Sequence, residues 1–510
     1  MVQYEVDPVA VRWFFIHGAI QPAIYFNAKM FSLERTDVSL TTNASRTERE
    51  RSLIIALAVL GVFVTYVPIT GVSVSLAAIG QATGASNSDL QWVSDAYVIP
   101  MAAAVLSAGV FGDRHGRRRV FTGGMVLTFV GALVAALASL LDSAAIPVLW
   151  TGQAISGVGA GMLLPTTLAL IAHAVPDFRE RSRYVGMWAT GIVAGLAIGP
   201  LLSGVILEYA GWGWLYAPII VLALATAVLA HIRLPESKSS EVRHLDWPGQ
   251  ITATIAIAAS IYGVIEGGEH GWTSPTCLAG LAVGIAAVVA FVLLERRAEK
   301  PLMDLKLFRS AAFSAASISA LVALFAVVGT MFLLSLFLGQ VQQLSPLDIG
   351  LRLVFVTGVS AVLNPFVSRL MKRVAPIILL VIGLIVAAFA VLLLTGLTAE
   401  TSFVDLAWRL VILGAALALM LSSVSVVAIN SAPWQLAGMA AATATAFRQY
   451  GGALGPAVLG SVYVGALVNG DSASEGIARA MVVCSVTLLV AAVACVVGIV
   501  VTRRSVEKSA

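Results

Sequence analysis

The chain has 510 residues, of which 59% are hydrophobic and 11% charged, and a net charge of +4. A soluble globular domain carries roughly 25% charged residues. The composition therefore places the chain in a membrane, and the small net charge gives no basis for a nucleic-acid partner. The 6 histidines form no pair at ligand spacing, so neither a metal nor another cofactor is expected. Cys277, Cys484 and Cys495 lie within or beside apolar runs, without a Cys-x-x-Cys, and read as small buried hydrophobes.

The first segment, 1–50, mixes charge with a short apolar piece, Trp13 to Phe26, that includes His17 and Pro22. It is too short to span a bilayer and lacks a basic leader and a small-residue cleavage site. It reads as a disordered extension or as an over-long start with Met30 as the initiator. A spanning helix needs about 20 predominantly apolar residues. On that rule fourteen spans follow, at 53–79, 91–111, 119–140, 147–171, 184–207, 214–233, 249–267, 277–295, 311–337, 349–370, 375–396, 406–430, 438–467 and 478–501. Alternate connections concentrate Lys and Arg: Arg46, Arg49 and Arg51; Arg114 and Arg117 to Arg119; Arg179, Arg181 and Arg183; Lys238 and Arg243; Arg296 to Arg309; Arg369 to Arg373; and Arg503 to Lys508. The other connections are nearly free of them, so both termini are expected in the cytoplasm. The short connection 430–437 has no basic residue and is internal by parity alone.

The chain repeats itself. Gly195-x-x-x-Gly199-Pro200-x-x-x-Gly204 in the fifth span matches Gly451-x-x-x-Gly455-Pro456-x-x-x-Gly460 in the thirteenth. The connection after the second span, Gly109-Val-Phe-Gly112-Asp113-Arg114-His115-Gly116-Arg117-Arg118-Arg119, has a degraded copy after the tenth, with Ser368 at the place of the acid. Two parallel copies of a six-helix unit are the signature of a transporter built from two halves. The two spans at about 249–295 fill the interval, which gives six plus two plus six. The domains expected are 1–50, a bundle over 51–235, linker helices and loop over 236–310, a bundle over 311–502 and a tail over 503–510.

Each motif has a physical basis. Gly109 and Gly116 allow close approach and a tight turn, while Asp113 can cap a helix or pair with an arginine. A simple positive-inside anchor would need the arginines but not the glycines and the acid. The stretch resembles the loop 2–3 signature of the major facilitator superfamily, which implies a cytoplasmic latch made of Gly109, Asp113, Arg114, Gly116, Arg117 and Arg118. Gly195, Gly199, Pro200 and Gly204 place small residues where helices can pack backbone to backbone, with a proline that frees a carbonyl. They resemble the antiporter motif of that superfamily, which implies export. Further stretches, Leu90 to Tyr97, Asp246-Trp247-Pro248-Gly249, Gly271-Trp272, Leu302 to Phe308 and Arg448-Gln449-Tyr450-Gly451-Gly452, resemble the fourteen-helix drug:proton antiporter branch over about 51–502. The resemblance implies an all-α integral membrane protein of the major facilitator fold, active in multidrug efflux.

The departures bear on mechanism. Where the branch carries an acid in the first span this chain has Pro68, and Gln153 stands where it carries an arginine in the fourth. Both positions are linked to proton coupling in the branch. An ionisable residue near the bilayer centre costs at least ~2.5–3.5 kcal/mol on insertion scales, so the remaining internal charges become candidates. Asp95 is a proton carrier or an interfacial acid in water. Arg448 is held by a structural partner or binds an anionic substrate or lipid head group. Glu266 and Glu269 read as solvated acids near the outer surface. Met162, Trp188, Tyr66 and Thr65 are candidates for lining a cavity, or face lipid or packing. Absence of a phosphate-binding Gly-x-x-x-x-Gly-Lys-[Ser/Thr], a Gly-x-Ser-x-Gly or a His-Glu-x-x-His leaves no enzyme signature.

A multi-pass plasma-membrane secondary transporter is therefore expected, exporting small amphiphilic compounds by alternating access with protons as the coupling ion. A proton-independent facilitator, an exporter of anionic metabolites or lipids, and a non-transporting sensor of the same fold stay open. The expected partners are a small-molecule substrate and membrane lipids, and the expected state is a monomer.

Overall fold

The computed structural model describes residues 25–175, 177–237, 246–299, 301–432 and 436–509. Met1–Leu53 and Ile54–Ala510 are separate compact units. Of the extension expected over 1–50, residues 1–24 lie outside the described residues, and from Tyr25 onward the backbone is helical. Lys238 and Arg243 also lie outside them.

Fourteen helices follow. The first six are α1 (Tyr25–Thr83), α2 (Asn87–His115), α3 (Arg117–Leu137), α4 (Ala145–Ala174), α5 (Phe178–Tyr209) and α6 (Ala217–Arg233). Then come α7 (Trp247–His270) and α8 (Pro275–Arg297). The last six are α9 (Ala311–Leu336), α10 (Pro346–Leu370), α11 (Pro376–Leu393), α12 (Phe403–Asn430), α13 (Ala437–Val468) and α14 (Ala473–Ser509). Thirteen carry stretches long and apolar enough to cross a bilayer, and α2 makes a fourteenth span bent by 56° between Val105 and Ser107. The expected spans are all present, and most helices are longer than the apolar runs because their caps lie in polar flanks. The Ser86 hydroxyl accepts from the Asp89 amide while Asp89 accepts from the Ser86 amide, a reciprocal cap that starts α2. Ser345 with Asp348, Ser402 with Asp405 and Ser472 with Glu475 place the same pair of residue types at the starts of α10, α12 and α14. All of these caps lie at the end of the molecule with few basic residues.

The sequence repeat is a structural repeat. In α5 a methyl placed on Gly195 would sit 2.8 Å from the Phe63 carbonyl oxygen, and one on Gly199 would sit 2.6 Å from that of Val67, both in α1. In α13 Gly451 meets the Leu321 carbonyl, and a methyl on Gly455 would sit 2.5 Å from the Phe325 carbonyl oxygen, both in α9. The third glycine of each motif reaches across to the other six-helix set. Gly204 packs on Pro346 and Gly350 of α10, and Gly460 packs on Gln91 of α2. Pro200 leaves the Leu196 carbonyl without its helical donor, and the Thr70 hydroxyl supplies one at 2.9 Å.

The α7–α8 hairpin is joined by glycine contacts at Gly263 and Gly280. Its helix α7 lies in the groove between α2 and α13. Gln250 Nε2 donates to the Ala103 carbonyl at 2.7 Å, and Tyr262 stacks at a tilt on Trp92 with ring centres 6.4 Å apart. On the other side Tyr450 and Ser260 share a 2.8 Å hydrogen bond, and the Ser461 hydroxyl donates to the Val264 carbonyl at 2.8 Å.

Because backbone atoms cannot retreat from an added methyl, Gly199→Ala is expected to destabilise the protein by ~1–3 kcal/mol. Gly186→Ala, in the same helix with nothing within 4 Å, is expected to be neutral or slightly stabilising. Thermal unfolding of the two purified variants in detergent checks the contrast.

Candidate functional site

The arginine-rich connection folds into a compact polar cluster. Arg117 Nη2 donates to Asp113 at 3.0 Å, one helical turn away across the break at Gly116, and Nη1 donates to the Ala169 carbonyl of α4 at 3.3 Å. Gly116 has φ +105°, a value that L side chains rarely adopt, and Glu236 sits against its α-carbon. Glu236 is the hub that the sequence did not reveal. It accepts from the Arg118 amide at 3.2 Å and lies 3.6 Å from both the Arg118 and Arg119 side chains. The Arg117 amide donates to the Ser237 carbonyl at 2.9 Å. Gly109 and Gly112 face Pro165 and Thr166 of α4. Arg114 is exposed and makes no hydrogen bond or ion pair among the described residues. The partners of this cluster all come from the first six helices and the segment that follows them.

Between the two six-helix sets lies a cavity of about 280 Å³. Its walls come from α1, α5, α9, α10, α12 and α13. It reaches the arginine-rich end of α10, at Ser368 and Met371, and the end of α12 beside it, at Ile429. At the opposite end the same two sets meet at Gly204 with Pro346 and Gly350, and at Gly460 with Gln91. The cavity is thus accessible from one end and pinched at the other. Tyr66 and Trp188 line it, whereas Met162 and Thr65 do not. The Met162 methyl lies against Gly123 of α3, and the Thr65 hydroxyl donates to its own helix at the Gly61 carbonyl.

Arg448 lines this cavity at 7% exposure. Nη2 donates to the Tyr66 hydroxyl at 3.2 Å, while Nε has no partner. Asp95 is elsewhere, on the face of α2 that also carries Gln91 and Val98. Those neighbours contact Gly460 and Gly452 of α13, so Asp95 lies in the seam between α2 and α13. It is fully buried and neither carboxyl oxygen has a hydrogen-bond partner. No interfacial position in water is observed for it. Gln153 Nε2 donates to the Val93 carbonyl at 3.1 Å, holding α2 two residues before Asp95. Pro68, half-buried in α1, stands near the Tyr97 hydroxyl, which donates to the Thr65 carbonyl at 2.7 Å. Gln153 and Asp95 therefore share one neighbourhood, and Arg448 makes no bond to either. Glu266 is largely covered and lies 3.3 Å from His270, while Glu269 is exposed.

A further pair of acids sits at the arginine-rich end of the hairpin, Asp246 of the motif already named and Glu295, which sequence reasoning passed over. Asp246 caps α7 through the Gly249 amide, and Glu295 of α8 is 4% exposed and accepts from the Met303 amide at 3.3 Å. The motif Asp246-Trp247-Pro248-Gly249 is thus a helix start, with Gly249 giving room for both carboxyl groups.

Two repeated sets of six apolar helices around a cavity open at one end, with a two-helix hairpin beside them, define a polytopic membrane transporter. The model of the Major Facilitator Superfamily matches residues 58–456. The multidrug resistance protein Stp of Mycobacterium tuberculosis (strain CDC 1551 / Oshkosh) is 32% identical over 403 residues, 79% of this chain and 74% of that protein. The tetracenomycin C resistance and export protein of Streptomyces glaucescens is 29% identical over 428 residues, 84% of this chain and 78% of that protein. In fold, the xylose transporter XylE of E. coli superimposes with a TM-score of 0.61 at 15% identity, over 87% of this chain and 98% of that one. The chain belongs to the Major Facilitator Superfamily, as its two motifs implied, and is a multi-pass protein of the plasma membrane. Its resistance and export relatives agree with the drug:proton antiporter branch.

Gly116→Ala is expected to destabilise the polar cluster by ~1–3 kcal/mol, because it forces a side chain into a strained backbone and against Glu236. Glu236→Gln removes only part-exposed ion pairs and is expected to change stability by no more than ~1 kcal/mol. Thermal unfolding in detergent at low and high salt separates the two, since only the Glu236 contribution is screened.

Proposed function

We propose that the protein exports small amphiphilic compounds by alternating access, with its arginine-rich end and both termini in the cytoplasm. The observation that carries this reading is the cavity between the two six-helix sets, accessible from the arginine-rich end and pinched at the other by Gly204 and Gly460. The orientation rests on the positive-inside bias of the loops. Relatives named for drug and antibiotic resistance support an outward direction of transport. The protein acts as a carrier, without covalent chemistry on its cargo. One chain supplies every wall of the cavity, which supports a monomer as the working unit.

The two sets rock about the glycine contacts of α5 and α13. The contacts of Gly195 and Gly199 on α1, and of Gly451 and Gly455 on α9, stay within one set and keep each set rigid. Those of Gly204 and Gly460 lie between the sets and part when the outer end opens. The cluster of Asp113, Arg117, Arg118 and Glu236 acts as the inner latch, and Arg114 remains available to pair when the inner end closes.

Asp95 is the proton carrier in this scheme. An ionised carboxylate with no partner is costly in so dry a place. Parting of α2 from α13 admits water to it. Gln153 positions it through α2, which gives the fourth helix a role without the arginine of the branch.

Inside-out vesicles test this. With an active amphiphile, wild-type protein is expected to dequench a pH-sensitive dye as protons move against cargo. Asp95→Asn is expected to reduce that signal at least tenfold while cargo binding persists, and Asp95→Glu to retain part of it. Undiminished proton movement in Asp95→Asn would remove Asp95 from the coupling path. Cargo flux with no proton movement at all would establish a facilitator.

A further inference from the structure

Arg448 is a guanidinium in the membrane-embedded middle of the protein, at 7% exposure, on the wall of the cavity. Its one side-chain partner is the neutral hydroxyl of Tyr66, and its Nε donor is unpaired. Among the described residues, no Asp or Glu lines the cavity. A buried charge without a counter-charge is strongly unfavourable, and an arginine left in this condition beside an open space is a preformed anion site with donors to spare.

The rest of the cavity is divided by polarity along the same line. Besides the Tyr66 hydroxyl of α1, which Arg448 engages, the polar side chains come from the last six helices: Asn364 and Ser368 of α10, and Ser422 and Ser425 of α12. Ser422 and Asn364 are joined by a 2.5 Å hydrogen bond, which holds that wall in place. The facing wall, from α5, presents Val185, Ile192, Val193 and Leu196. The one polar atom on its indole, Trp188 Nε1, is turned away to the Thr167 hydroxyl at 2.9 Å. One wall is therefore cationic and hydrogen-bonding, and the other is apolar.

We infer that the cargo is a small acid, an apolar body carrying one carboxylate or similar anionic group that pairs with Arg448 while the body lies against α5. The inference rests on the export reading above, in which this cavity holds the cargo. It narrows the expected compounds from amphiphiles in general to acids, in the order acid, then neutral analogue, then cation. A cationic amphiphile would meet an uncompensated guanidinium with no acid on any wall to offset it.

The test uses purified full-length protein in nanodiscs and three probes with one ring system: 1-naphthaleneacetate, its methyl ester and 2-(1-naphthyl)ethylammonium. Equilibrium dialysis gives Kd for each. The wild type is expected to bind the acid at least about tenfold more tightly than the ester, as a hydrogen-bonded charge pair implies, and the ammonium most weakly. Arg448→Gln is expected to bring acid and ester to equal affinity, and Arg448→Lys to restore part of the preference. Should Arg448→Gln fail to fold, the comparison of the three probes on the wild type and on Arg448→Lys still decides. Equal or tighter binding of the ester or the ammonium by the wild type overturns the inference, as does an acid preference that survives in Arg448→Gln. Vesicle flux of neutral or cationic compounds without any acid binding overturns it while leaving export intact. No binding and no flux of any compound would overturn both.

Discussion

Close approach of helix backbones at four glycines governs the architecture. Within a bilayer, apolar side chains gain nothing by leaving lipid for one another, so helices associate through packing detail and buried polar contacts. Gly195 and Gly199 bring α5 onto α1, and Gly451 and Gly455 bring α13 onto α9, at separations that no side chain would permit. These contacts set how the two helices of each pair cross. The crossing in turn carries the far glycine of each motif, Gly204 or Gly460, to the opposite six-helix set. One ten-residue pattern thus defines both the rigid part of each set and the line along which the sets separate.

Polar groups follow the same economy. The interruption of the helical ladder at Pro200 is answered locally, where the Thr70 hydroxyl donates to the released Leu196 carbonyl. Gln153 and Gln250 spend their amides on neighbouring backbones. Asp95 and Arg448 are among the buried groups that keep atoms without a partner, and both are ionisable side chains within spanning helices. They lie apart, Asp95 in the seam between α2 and α13 and Arg448 on the wall of the cavity.

Much of the fold was legible in the sequence. Hydropathy and alternating basic loops were enough for the helix count, and the paired glycine–proline motifs for the repeat. The helix starts were misplaced by several residues because Ser86, Ser345 and Ser402 lie outside the apolar runs; the spacing Ser-x-x-Asp was a usable signal. The site was far less legible. Lipid and protein core are both apolar, so a spanning helix lacks the periodicity that separates inside from outside in a soluble protein. Tyr66 and Trp188 could not be told from Thr65 and Met162 for that reason. Arg118 finds Glu236 across 118 residues, and Arg448 finds Tyr66 across 382. The connection mixes Glu236 and Glu241 with Lys238 and Arg243, so its sequence did not single out Glu236.

The placement of α7 makes the two seams unequal. It covers the line between α2 and α13 and screens Asp95 from the acyl chains. The corresponding line between α5 and α10 keeps an apolar lipid-facing surface, with Ile198, Leu201, Val362 and Phe366 all exposed. The cavity itself is walled by these last two helices. Of the two seams, the one between α5 and α10 therefore has no hairpin laid over it, and its outer surface is apolar.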